Sequence, residues 1–249
     1  MRLSFAALLT TACLLATPVL PGGVGEMTAA ERTIFRQEVR DYLIENPEVI
    51  AEALEVLQQR QDQAEVTRDT RLLVDNAEAL FNDGTSWVGG NPNGDITIVE
   101  FMDYRCGYCR KAKADVEELV KSDGNIRFVL KEFPILGDDS ILSSRFAIAV
   151  LQLHGPDAYK AAHDGLYTLR GPADGATLTR LAADLGLDPA PILARMNADD
   201  VTKVIATNRA LADAMALSGT PAFAINKTLL RGYVPLEGMR AIVADERAG

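Results

Sequence analysis

The stretch Ile98-Val99-Glu100-Phe101-Met102-Asp103-Tyr104-Arg105-Cys106-Gly107-Tyr108-Cys109 decides how the chain folds. The apolar run from Ile96 to Phe101 reads as a buried strand, and a short polar link carries it into Cys106-x-x-Cys109. Cys109 opens a helical stretch, Arg110 to Val120. A strand aimed at a Cys-x-x-Cys on a helix N-terminus is the arrangement of a redox-active dithiol. The free N–H groups and the dipole of a helix start stabilise a thiolate, and the thiolate is the nucleophile in disulfide exchange. Such sites lower a cysteine from about 8.5 to about 3.5–7.5. Cys106, the more N-terminal and more exposed position, is the expected attacking thiol, and Cys109, one turn inward, the resolving thiol. Gly107 and Tyr108 between them tune the potential.

Downstream, Ile126 to Phe133 reads as a second strand closed by Pro134. Strand, helix and strand in this order imply a parallel pair. A helical block follows, about 138–217, split by Gly155-Pro156, Gly171-Pro172 and Leu187-Asp188-Pro189. Gly219-Thr220-Pro221 then leads into a short strand, Ala222 to Ile225, a turn at Asn226-Lys227, a return strand and a last amphipathic helix from Pro235. The turn-rich run Gly89 to Gly94 marks the expected start of this α/β domain, 90–249.

Upstream, Ala29 to Glu45 reads as a helix, and Asn46-Pro47 as a stop and restart. The second helix is expected to reach about Phe81. Ile50, Leu54, Leu57, Gln61 and Ala64 fall on a 4-3-4-3 spacing, a short heptad seam on an otherwise charged helix. Residues 27–83 thus read as a helical stalk that joins copies of the chain; a helix folded back on its own domain is the alternative.

Hydrophobic residues make up 48% and charged residues 24% of the 249, and the formal net charge is −10. That balance fits a globular protein and argues against nucleic acid or anionic lipid as the main partner. Arg2 followed by the apolar run Leu3 to Leu20 reads as a signal peptide, 1–25, cleaved near Gly25. Of three cysteines, Cys13 would leave with it, so the exported chain keeps only Cys106 and Cys109. Their bridge closes so small a loop that it adds little stability, which favours a redox role. Half a zinc site is missing: His154 and His163 stand on separate helical stretches and read as surface or packing residues.

Val99 to Cys109, the helical block and Gly219-Thr220-Pro221, in this order, resemble the DsbA-like thiol:disulfide oxidoreductases over about residues 90–244. The run from Asp41 to Val49 further resembles the N-terminal extension of the ScsC-like and Com1-like branch, some of whose members oligomerise through it. The resemblance implies a thioredoxin fold with a helical insertion, a periplasmic location, and a redox-active Cys106–Cys109 disulfide with no other cofactor. It also implies unfolded or misoxidised exported proteins as substrates, a membrane redox partner that resets the dithiol, and a homo-oligomer, with a trimer as one expected form. Pro221 matches the family's cis-proline, which would set the Thr220 backbone beside Cys106. Glu100 matches the buried acid below the dithiol, a proton acceptor for Cys109. Cys-Gly-Tyr-Cys departs from the Cys-Pro-His-Cys of strong oxidases and matches DsbC-type isomerases, so oxidase and isomerase both stay open. The branch's link to copper tolerance leaves a copper(I) site at Cys106 and Cys109 as a further expectation. Lys131 and Glu132, on the second strand, could serve in place of Glu100 or pair with each other, and read first as a plain surface pair.

Overall fold

The computed structural model describes residues 27–249, so the signal-peptide reading of 1–25 lies outside the described residues. The chain divides after Gln61 into two units.

In the first, α1 (Ala29–Glu45) starts from a capping box: Thr28 N–H donates to Glu31 Oε2 at 2.8 Å, and Glu31 N–H donates back to Thr28 Oγ1 at 3.3 Å. This reciprocal pair satisfies donors that a helix start leaves free. The helix ends at Asn46, and α2 (Glu48–Asp75) begins after Pro47. No α1 side chain is buried, and Ile34, Phe35, Val39 and Tyr42 are exposed, as are Ile50, Leu54 and Leu57 on α2.

The second unit is built on a five-stranded sheet. Its strands are β1 (Trp87–Gly90), β2 (Ile96–Met102), β3 (Ile126–Glu132), β4 (Ala222–Ile225) and β5 (Thr228–Arg231), in the spatial order β1-β3-β2-β4-β5. Among the described strands only β2 and β3 run parallel, joined through α4 (Gly107–Asp123). The central β2 alternates between two cores. Ile96, Ile98 and Met102 pack with residues of α4, α5 (Asp138–Thr168) and α9 (Leu236–Ala248). Val99 and Phe101 pack with Leu73 of α2, Leu80 of α3 (Ala77–Phe81) and Leu211 of α8 (Asp199–Ala214). Period-2 alternation into two apolar faces is why this strand reads as a continuous hydrophobic run. The helical insertion is completed by α6 (Gly175–Asp184) and α7 (Pro189–Arg195), and Gly155 breaks α5 in the left-handed region.

Three expectations need correction. The compact unit begins at Asp62 rather than near Gly90, because Leu73 and Leu80 are core residues. Trp87–Gly90 is a strand, not merely a turn: it pairs antiparallel with β3. Its glycines allow that close approach. A Cβ at Gly90 would lie 2.3 Å from the Ile126 carbonyl oxygen, and φ there is +68°. Lys131 and Glu132 are not a surface pair. Both are buried, on opposite faces of the sheet, each with its own partners.

Candidate active site

β2 delivers the chain to Asp103, whose buried carboxylate fixes the next turn. Its oxygens accept from Arg105 N–H at 2.7 Å, Ile135 N–H at 2.8 Å, Leu136 N–H at 3.0 Å and Ser140 Oγ at 2.7 Å. Cys106 is then the N-cap of α4, in extended conformation. Cys109 N–H donates to Cys106 Sγ at 3.4 Å, so the sulfur takes the place of a capping oxygen. Across 114 residues of sequence, Cys106 Sγ donates to the Thr220 carbonyl at 3.1 Å. The Thr220–Pro221 bond is cis. Both cysteines are free thiols; Cys109 is fully buried and Cys106 nearly so. Among the residues singled out from sequence, Cys106, Cys109, Thr220 and Pro221 therefore meet at one place, with Gly107 open to space and Tyr108 65% exposed at its rim.

Glu100 is buried on the β2 face that carries Ile98 and Met102, the α4 side of the sheet. Burial, then the nearby Cys106 and Glu117, push its carboxyl up to about 8. Burial, reinforced by Glu100, also pushes the Cys109 thiol up. A cavity of about 10 Å³, room for roughly one water, is lined by Glu100, Lys113, Glu117, Lys160, His163 and Tyr167. It leads from the acid toward an ionic cluster in which Lys113 Nζ and Lys160 Nζ lie 2.8 Å and 2.9 Å from Glu117 Oε1. His163 is kept neutral by burial and by Lys160, its pKa drawn down to about 3. His154 is exposed.

Glu132, which the sequence offered only as a stand-in for Glu100 and read first as a surface charge, is a second buried acid. Glu132 Oε1 accepts from Tyr159 Oη at 2.6 Å and Tyr104 Oη at 2.9 Å, and Oε2 accepts from Ser144 Oγ at 2.7 Å. Burial pushes Glu132 up to about 7, although these three hydrogen bonds act the other way. Tyr104 Oη also lies 3.2 Å from His163 Nδ1, which joins this network to the cavity below the dithiol. The one available signal was the acid in an apolar strand, Phe128 to Phe133. Lys131 instead points at Asp83 (Nζ to Oδ2, 2.6 Å) and donates to the Ala79 carbonyl at 2.7 Å.

Residues 82–245 match the family model described as Thioredoxin, and residues 31–64 match the N-terminal domain of copper resistance protein ScsC. The chain is 40% identical to a thioredoxin-like oxidoreductase from Silicibacter pomeroyi DSS-3; the match covers 69% of this chain and 98% of that one, with a TM-score of 0.65. A linker-deletion variant of Proteus mirabilis ScsC is 26% identical over 91% of this chain and 99% of its own, with a TM-score of 0.66. A Na(+)/H(+) antiporter NhaA of Salinispora arenicola is 30% identical over 65% of this chain, which spans only 25% of that protein's length. The chain belongs to the thioredoxin family. Its two matched segments and its structural neighbours place it with the DsbA-like, ScsC-like branch.

Proposed function

We propose that the chain is an exported, periplasmic thiol:disulfide oxidoreductase acting on protein substrates. The observation that carries this reading is Cys106 as a helix N-cap whose sulfur faces the Thr220 carbonyl. In the reducing direction, the Cys106 thiolate attacks a substrate disulfide, forms a mixed disulfide and releases one substrate thiolate. Cys109 gives its proton to Glu100 and attacks Cys106 Sγ. The second substrate thiolate leaves, the substrate is reduced by two electrons, and Cys106–Cys109 becomes the disulfide. A buried thiol whose pKa is raised needs such a base beside it. An unfolded or misoxidised client would pair its extended backbone with the Thr220 segment as an added strand. Replacing Cys106 with Ser should abolish exchange on scrambled ribonuclease; retained activity would sink the reading.

The direction we read is isomerisation, from Cys-Gly-Tyr-Cys and from the ScsC N-terminal match, with a homo-oligomer (a trimer as one form) built through the exposed α1 and α2 side chains. A membrane partner would keep the dithiol reduced. A monomer that oxidises reduced ribonuclease faster than it repairs the scrambled form would instead be a dithiol oxidase. The copper resistance match also supports a second reading, copper(I) held by the two thiols. Their soft sulfur donors fit that ion. Equal copper(I) affinity of the reduced protein and its Cys106→Ser form would exclude the dithiol as ligand. Among the described residues no helix is long and apolar enough to cross a membrane.

A further inference from the structure

Tyr108 stands between the two cysteines and is largely exposed, yet its ring is held in place. It stacks on Tyr233 with 6.4 Å between centroids and 26° between planes. Tyr233 is itself fixed to α4: its hydroxyl donates to Asp115 Oδ2 at 2.6 Å, and Lys111 Nζ lies 4.4 Å from its ring centroid. A charge-assisted hydrogen bond and a cation over an aromatic face are both directional contacts. A tyrosine in the segment after β5 thus positions a tyrosine of the Cys-x-x-Cys.

Two hollows share lining residues in the segment that carries Tyr233. The smaller, about 150 Å³, includes Thr220 and Pro221 in its lining. The larger, about 480 Å³, runs along β5 and includes Tyr233. Arg231 and Gly232 line both, and α2, from Asp62 to Thr70, forms the other wall of the larger one.

We propose that Tyr108 selects an aromatic side chain of the substrate polypeptide beside the reacting cysteine, with Tyr233 as its positioning residue. The proposal rests on the exchange reading and adds the substrate class. A ring already stacked on one neighbour and otherwise open offers its remaining surface to another ring. Aromatic pairs gain from their quadrupoles beyond area burial, whereas an aliphatic side chain gains only the area.

The test uses the full chain in reduced form and three disulfide-cyclised peptides, identical except for Phe, Leu or Ser beside one cysteine. Single-turnover reduction rates are compared within each protein variant, so a changed potential of the dithiol cancels from the ratio. The native chain should favour Phe over Ser by about 2- to 10-fold and over Leu by a smaller factor, the range expected of one aromatic pair. Tyr108→Ser and Tyr233→Ala should each bring the Phe-to-Ser ratio to about 1. Tyr233→Phe, which keeps the stack and drops the Asp115 bond, should restore most of the preference. Equal rates for the three peptides with the native chain, Leu matching Phe, or a preference that survives Tyr233→Ala would overturn the proposal. Reduction of no peptide by the native chain, or undiminished reduction by Cys106→Ser, would instead remove the exchange reading and the proposal with it.

Discussion

Lys131 and Glu132 are neighbours on β3 whose side chains leave the sheet on opposite faces, Lys131 to a carboxylate 2.6 Å away at Asp83 and Glu132 to the Tyr159 hydroxyl, also 2.6 Å away. Successive residues of a strand must diverge in this way. Here the divergence buries two charges of opposite sign on the two sides of one sheet, so each must be satisfied separately.

The lysine side makes the first prediction. Lys131 is 0% exposed, and removing its partner by Asp83→Ala leaves a buried charge without a counter-ion. The loss should be about 3–5 kcal/mol in denaturant unfolding, and Lys131→Met added to Asp83→Ala should recover most of it. Burial alone would raise the Asp83 pKa, but hydrogen bonds from Lys131 and Ser86 outweigh it and hold it at about 2. Because the folded value lies below the unfolded one of 3.8, this stabilisation is full above about pH 4 and disappears as pH falls through 2. An acid titration in which native and Asp83→Ala proteins differ equally at pH 6 and pH 2 would contradict the assignment.

Glu132 makes the second. Glu132→Ala strips the acceptor from Tyr104, Tyr159 and Ser144 at once, all of them buried. Unfolding free energy should fall by about 2–4 kcal/mol, against about 1 kcal/mol for Ser144→Ala, which removes one donor. Similar losses for the two variants would mean that the network does not act as a unit.

Glu100 makes the third, with the opposite pH sense from Asp83. Its folded pKa of about 8 lies above the ordinary carboxyl value of 4.5, so the folded chain binds the extra proton between those values. Its contribution is fully present below about pH 4.5 and is lost as pH rises to about 8, beyond which the difference is constant. Glu100→Gln, which stays neutral, should therefore gain stability over the native chain across pH 5–8, by on the order of 1–4 kcal/mol at pH 8. The same variant should slow resolution of the mixed disulfide by about 10²-fold, the usual weight of a proton acceptor. Thermal unfolding curves at several pH values and quench analysis of the mixed disulfide read the two effects independently.

The fourth concerns the N-terminal helices. A chain starting at Asp62 keeps Leu73, Leu80 and Asp83, and should fold and scatter light as a monomer if the residues before it join the copies. A chain starting at Gly84 loses two core leucines, at about 2–5 kcal/mol each, and the Lys131 partner as well. It should unfold or aggregate. A native chain that is monomeric would end the oligomer reading.

The strand, the Cys-x-x-Cys and the order of helices were legible because each is written in local spacing. Ile96 to Phe101 is apolar throughout, and the two cysteines sit where a helix begins. What stayed hidden depends on partners distant in sequence. β1 looks like a turn because it holds Gly89-Gly90, and its strand character comes from β3 and from Trp87. That indole stacks on Tyr159 at 5.8 Å and donates to the Pro156 carbonyl at 2.9 Å. The burial of Lys131 depends on Asp83, 48 residues upstream, and that of Glu132 on α5. Charges on a strand read as surface until the covering elements are known.

Asp103 has a consequence for anyone who would trim this protein. One of its four donors, Ser140, and two of the three on Glu132, Ser144 and Tyr159, come from the first helix of the insertion. Excising the insertion to reach a minimal thioredoxin would take one donor from Asp103, just after β2, and leave Glu132 on β3 with Tyr104 alone. The inserted helices thus help to hold two buried carboxylates of the sheet they cover, and a shortened version would need new partners for Glu132 above all.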